Sequence, residues 1–125
     1  MYQFSKDISK VKNKIRGASG EVLAVNFLKK KKYIILETNY KNYIGEIDII
    51  AMNKSVYVFV EVKRRLTQKY GRPIEAVNIR KQNKIKKVAE MYLMMKNKSY
   101  ADVRFDVIEI IDDQIIHIEN AFSDF

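Results

Sequence analysis

Hydrophobic positions along this 125-residue chain change period several times, and each change marks an element. Leu23, Ala24, Phe27 and Leu28 fall at i, i+1, i+4 and i+5, one apolar stripe that predicts a helix over residues 17–31. The polar stretch 5–16 reads as an extension of this helix or as a loose arm. A strand rich in Ile and Tyr follows at Tyr33–Asn39, and Gly45 precedes a second at Glu46–Met52. Asn53-Lys54-Ser55 reads as a hairpin turn. The third strand, Val56–Lys63, opens with Val56-Tyr57-Val58-Phe59-Val60, apolar on both faces, which suits the centre of a sheet covered on both sides. Gly71 and Pro73 mark a loop. Ile85, Val88, Ala89, Tyr92 and Leu93 then return to helical spacing within a second helix over residues 76–96. Strands at Val103–Ile111 and Gln114–Glu119 follow, joined at Asp112-Asp113. Helix, three strands, helix, two strands predict a single α/β domain with a mixed β-sheet flanked by helices, not a Rossmann repeat.

Side chains two apart on a strand share a face. Glu46 and Asp48 therefore point one way, as do Glu61 and Lys63, while Ile47, Ile49, Val60 and Val62 are expected together in the core. A hairpin centred on residues 53–55 sets position i opposite 108 minus i. That puts Asp48 across from Val60, a neighbour of Glu61, near enough for a bulge to bring Asp48 and Glu61 together. Carboxylates beside such an apolar run are costly unless paired or bound to a cation. Without cysteine, an oxygen-only set favours Mg²⁺ or Mn²⁺ over zinc. Lys63 beside them suits stabilisation of a pentavalent phosphate or orientation of a water. The same Glu-x-Lys pattern also fits an ordinary cross-strand ion pair at a sheet rim.

Composition adds a partner class. The 24 Lys and Arg against 15 Asp and Glu leave a net charge of +9, unevenly spread. Residues 1–32 carry +7, 33–63 carry −1, 64–100 carry +9 and 101–125 carry −6. Two basic blocks suit a polyanion, whose condensed counterions Lys and Arg displace. They equally suit a solvated surface. The absence of cysteine excludes disulfides, thiolate metal sites and a cysteine nucleophile. The first seventeen residues lack the apolar stretch of a secretory signal, and no run approaches the roughly 20 residues of a membrane span. A cytoplasmic protein without a membrane partner is expected.

In order along the chain stand Gly17-x-x-Gly20-Glu21, Asn39-Tyr40, Gly45-Glu46-Ile47-Asp48-Ile49-Ile50-Ala51, Val58-Phe59-Val60-Glu61-Val62-Lys63-x-Arg65, Arg80-Lys81-Gln82 and Arg104-Phe105-Asp106-Val107. This series closely resembles the YraN-like family over about residues 16–122. That family looks like a branch of the PD-(D/E)XK, or restriction-endonuclease-like, nuclease superfamily, similar to archaeal Holliday-junction resolvases. The resemblance implies that core fold, with order αβββαβ plus a C-terminal strand. It makes Asp48 the metal-binding aspartate, Glu61 the second acidic ligand and Lys63 the catalytic lysine. Glu21 and the Val62 carbonyl become further ligands to Mg²⁺ or Mn²⁺, and Gln82 a polar residue near the site.

The expected activity is therefore phosphodiester hydrolysis on DNA rather than RNA, on branched or otherwise structured substrates. Arg80, Lys81, Lys84 and Lys87 on the second helix, with Arg64, Arg65, Lys69 and Arg72 beside the acidic residues, are the candidates for contact with the nucleic acid. The alternatives are a module of the same fold that binds without cutting, and a self-associating protein in which the acidic C-terminal segment meets the basic regions of a second copy, as in a homodimer. Glu21 also suits the positive end of a helix dipole. Asp106 reads as a structural ion pair with Arg104, and His117, between isoleucines, as a packed or hydrogen-bonded edge residue. Tyr40, Tyr43 and Tyr70 suit core or rim packing as well as base stacking.

Overall fold

The computed structural model of the chain describes residues 6–10, 19–65, 77–112 and 114–123. In chain order the elements are β1 (Lys6–Lys10), α1 (Gly20–Lys30), β2 (Ile34–Lys41), β3 (Glu46–Asn53), β4 (Val56–Arg65), α2 (Ile79–Met95), β5 (Asp102–Ile111) and β6 (Gln114–Phe122). Each helix starts at a side-chain cap. Ser19 accepts from the Val22 N–H at 3.2 Å, and Asn78 accepts from the Lys81 N–H at 2.9 Å. The helices are shorter than their apolar periodicity suggests because these caps set their first turns.

Six strands form one mixed sheet in the order β1-β6-β5-β4-β3-β2. All neighbours are antiparallel except β4 and β5, which run parallel because α2 carries the chain back between them. From α1 through β5 this is the restriction-endonuclease-like order. Residues 6–10, expected as helix or arm, instead form a strand on β6. Five polar-rich residues carry little strand signal of their own; the free edge of β6 supplies the partner. His117 is consequently not on an edge strand.

The sheet is covered on both faces, as the apolar run in β4 predicted. On one face α1 packs Leu23, Ala24 and Leu28 against Ile49, Ala51, Val58, Val60, Ile108 and Ile110. On the other, α2 packs Ile85, Val88, Ala89, Tyr92 and Leu93 against Ile47, Ile50, Phe59, Phe105 and Val107. Gly45 matters here for want of a side chain. A Cβ would lie 3.0 Å from Lys84 Cε and 3.3 Å from Val88 Cγ2, so a side chain there would have to displace the flexible end of Lys84 and shift Val88 by a few tenths of an ångström.

Beneath the C-terminal end of α1 lies a buried polar cluster. Asp106 accepts two hydrogen bonds from Arg104, each 2.9 Å, and one from the Asn120 N–H at 3.0 Å. His117 Nε2 lies 2.7 Å from Asp106 Oδ2, and Lys31 Nζ lies 2.9 Å from Nδ1. An ammonium only donates, so Nδ1 is the acceptor and Nε2–H points at the carboxylate. Arg104 also donates to the Tyr33 hydroxyl. Asp106 is structural, as the sequence suggested. Burial pushes its carboxyl upward, but hydrogen bonds from His117 and Arg104 outweigh burial and hold it below the usual range.

A carboxyl lowered in the folded state stabilises above its unfolded pKa, about 4, and loses that contribution as pH falls. Asp106→Ala should therefore cost about 3–5 kcal/mol at neutral pH, since it strands Arg104 and the His117 N–H. Urea unfolding at pH 7 and pH 3 checks this: the deficit should shrink at the lower pH.

Candidate metal and nucleic-acid site

The hairpin between β3 and β4 closes through two residues, Lys54 and Ser55, with Lys54 at φ 59°. Its register pairs Asn53 with Val56 and Ile49 with Val60, so opposite positions sum to 109 rather than 108. Extended by one pair, that register sets Asp48 directly across from Glu61. No bulge in β4 is needed, and the expectation of Asp48 opposite Val60 is corrected by one residue. The turn is shorter than the three residues the sequence suggested.

The ladder stops at Ile49 and Val60, and the strands part. Past that point the Val62 N–H donates to Asp48 Oδ2 at 2.8 Å. A side-chain carboxylate thus takes the place of a backbone carbonyl, satisfying an N–H that the parting would orphan. The alternation of β3 breaks at the same place. Ile49 packs beneath α1, but Ile47 packs beneath α2, so Ile47 is core on the opposite face from Ile49, Val60 and Val62. Across on β2, Thr38 pairs with Ile49 and Tyr40 with Ile47, and the residue between them, Asn39, has φ 51°. A left-handed residue is uncommon in a strand and Asn tolerates it best after glycine. Both strands therefore switch faces at the pair Asn39 and Asp48, which turns Asp48 toward β4.

Glu61, on the α2 face, is buried and held by two ammonium groups: Lys81 Nζ at 2.9 Å and Lys63 Nζ at 3.3 Å from Oε2. From the α1 face comes Glu21, in the first turn of its helix. The start of α1 sits over β4, since a Cβ on Gly20 would lie 3.6 Å from Val62 Cγ1. The Asp48 carboxyl is pushed up to about 6, first by burial and further by Glu61 and Glu21, against the pull of the Val62 N–H and Lys81. Lys81 is raised by its hydrogen bond to Glu61. Among the described residues no group of three or more His, Cys, Asp or Glu side chains comes together closely enough to hold a metal ion. Glu21 acts on Asp48 through the field. Asp48 and Glu61 lie near enough for the charge of one to act on the other, and Asp48 is tied to the backbone of Val62 through its N–H. The two lysine ammonium groups already supply positive charge here. An all-oxygen donor pair is of the type that suits a hard divalent cation, and here the two carboxylates are matched by the two ammonium groups.

The remaining candidates divide. Arg80, Lys81, Lys84 and Lys87 lie exposed along α2, and Arg80, Lys84 and Lys87 line an open cleft of about 520 Å³ with Ile44, Ile79 and Asn83. Gln82 spends its amide on the Val77 carbonyl at 2.9 Å. Arg64 is exposed beside the start of α1. Arg65 turns inward, with Nε 2.8 Å from Glu109 Oε1. Lys69, Arg72 and Tyr70 lie outside the described residues. Glu109 is the residue that sequence reasoning passed over. It is fully buried, pairs with Lys63 in the β4–β5 register, and its carboxyl is raised by burial. Its signal was an acid inside the run Val107-Ile108-Glu109-Ile110-Ile111.

A family model described as "Uncharacterised protein family UPF0102" matches residues 20–110. The chain belongs to the UPF0102 family. This is the YraN-like group that the motifs indicated. A UPF0102 protein of Thermodesulfovibrio yellowstonii is 53% identical over 106 residues, 85% of this chain and 94% of that one. One from Clostridium botulinum strain 657 is 52% identical over 120 residues, covering 89% and 96%. The UPF0102 match spans α1 through nearly all of β5, the segment that carries Glu21, Asp48, Glu61, Lys63 and Glu109. No helix among the described residues is long and apolar enough to cross a membrane.

An acid whose pKa is raised on folding destabilises the native state above its unfolded value. For Asp48 that penalty grows from about pH 4 and is complete above about pH 6. Asp48→Asn keeps an acceptor for the Val62 N–H and removes the charge. In metal-free buffer at pH 7 it should stabilise the fold by about 1–2 kcal/mol, discounted for partial exposure. The gain should vanish near pH 4, as read by urea unfolding at both pH values.

Proposed function

We propose that this chain is a divalent-cation-dependent nuclease that hydrolyses phosphodiesters in DNA. The observation that carries the reading is the fork between β3 and β4, where Asp48, held by the Val62 N–H, feels the charge of Glu61, and Lys63 and Lys81 pair with Glu61. A cation bound by these two carboxylates and the Val62 carbonyl, Mg²⁺ or Mn²⁺, would supply Lewis acidity and neutralise charge on the phosphate. The chain's own residues do the rest. Lys63 and Lys81 lie where negative charge accumulates on a transferring phosphoryl group, and being fixed on a strand and a helix they need little reorganisation. Burial of Glu61 keeps its interactions with both lysines strong. The exposed cations of α2 grip the backbone without reading sequence.

One observation favours a second reading, a module that binds DNA without cutting it. Glu61 is already neutralised by two lysines of the chain itself. The two readings part in one experiment. Purified protein is incubated with Mg²⁺ or Mn²⁺ and with duplex, single-stranded and four-way DNA, and binding is followed in parallel.

A nuclease should cut at least one substrate. Lys63→Ala should lower the rate about 10²–10³-fold, and Asp48→Asn at least as much, with binding retained. Lys84→Ala and Lys87→Ala should each weaken binding and reduce its salt slope by about 1. Cleavage unaffected by both Asp48→Asn and Lys63→Ala sinks the assignment. Binding without cleavage, indifferent to metal, establishes the second reading.

A further inference from the structure

On the α1 side of the fork a second concavity lies between α1 and the edge strand β2, with a volume of about 290 Å³. Val22 and Val25 give it an apolar wall, and Asn26, Thr38 and Asn39 supply hydroxyl and amide groups. Among the described residues its one charged lining residue is Glu21, the same carboxylate whose field reaches Asp48. Neighbouring residues of a regular strand point to opposite faces, yet Thr38 and Asn39 both line this groove. The left-handed backbone at Asn39 makes this possible, and Asn39 sits across the ladder from Asp48. The distortion that aims Asp48 at β4 therefore also opens the groove beside it.

Its chemistry contrasts with the cleft on α2. That cleft is ringed by Arg80, Lys84 and Lys87, whereas among the described residues no Lys or Arg lines the groove. A phosphate is disfavoured next to Glu21. A flat, uncharged heterocycle with hydrogen-bonding edges is not: it can lie on the valines and meet the two asparagines and the threonine. A volume near the lower end for small-molecule pockets suits one nucleoside and not a base pair.

We propose that the groove between α1 and β2 receives a single unpaired nucleoside adjoining the phosphate held at the acidic pair, so that the preferred substrate is DNA with an extrahelical or unpaired nucleotide. This rests on the nuclease reading and narrows its substrate class. Extruding a base costs several kilocalories in paired DNA and little where the base is already unpaired, so the groove selects for the latter.

The test is binding of the full chain, by fluorescence anisotropy in metal-free buffer at low salt, to three duplexes. One is fully paired, one carries a single extrahelical thymidine, and one carries an abasic residue at that extrahelical position. The thymidine duplex should bind at least fivefold more tightly than the paired one, and the abasic duplex should lose that preference. Asn26→Ala with Asn39→Gly, which keeps the left-handed backbone accessible, should abolish the preference and leave paired-duplex affinity intact. Lys84→Ala should weaken all three alike. Salt-sensitive binding without preference, or a preference that survives the abasic change or the groove variants, overturns the proposal while leaving the nuclease reading standing. Absence of DNA binding overturns both.

Discussion

The contact between Asp48 Oδ2 and the Val62 N–H holds the site's geometry in place. A sheet whose central strands part must satisfy the backbone groups it exposes, and a buried orphan donor costs about 1–3 kcal/mol. Here the carboxylate that answers the backbone is also one of the two that face each other across the fork. Structure and chemistry consequently compete for one side chain. Its raised pKa reflects that conflict, because burial and the neighbouring acids favour the proton while the N–H favours the charge. The fold accommodates local destabilisation at the position where a bound cation would relieve it.

The two faces of the sheet handle buried charge in opposite ways. Under α1, Asp106 has a donor for each oxygen, and Arg104, His117 and Asn120 are locked around it. A saturated network of that kind fixes one packing arrangement and offers nothing to a ligand. Towards the C-terminal end of β4, Glu61, Lys63, Arg65 and Glu109 share the α2 face in separate ion pairs, Lys63 with Glu61 and Arg65 with Glu109. Among the described residues neither oxygen of Glu109 finds a hydrogen bond of good geometry, despite its full burial. The contrast separates a charge cluster that holds the fold together from one with interactions to spare.

Periodicity revealed most of this architecture. The stripe Leu23, Ala24, Phe27, Leu28 and the series Ile85 to Leu93 placed both helices, and the doubly apolar run in β4 gave a central strand. The motif pair around Asp48 and Glu61 gave the candidate site residues through their resemblance to a family. Three features were not legible for physical reasons. A five-residue polar strand has no signal apart from the edge it joins. The choice between a two- and a three-residue turn depends on backbone torsions that Asn-Lys-Ser does not dictate. The face switch at Asn39 and Asp48 is invisible to any argument from strict alternation, since it is the alternation that fails. Functional sites are where such local rules are expected to break.

The turn at Lys54 and Ser55 lies six residues from Asp48, roughly 20 Å along an extended strand. Nothing in it touches the carboxylates, yet its length alone decides which residue of β4 they meet. One residue more or fewer would slide the strands by a step, and Asp48 would confront an aliphatic side chain instead of Glu61. The residue count of this bend is therefore as much a part of the site as the carboxylates, and of its two residues Lys54 is further restricted by its left-handed backbone.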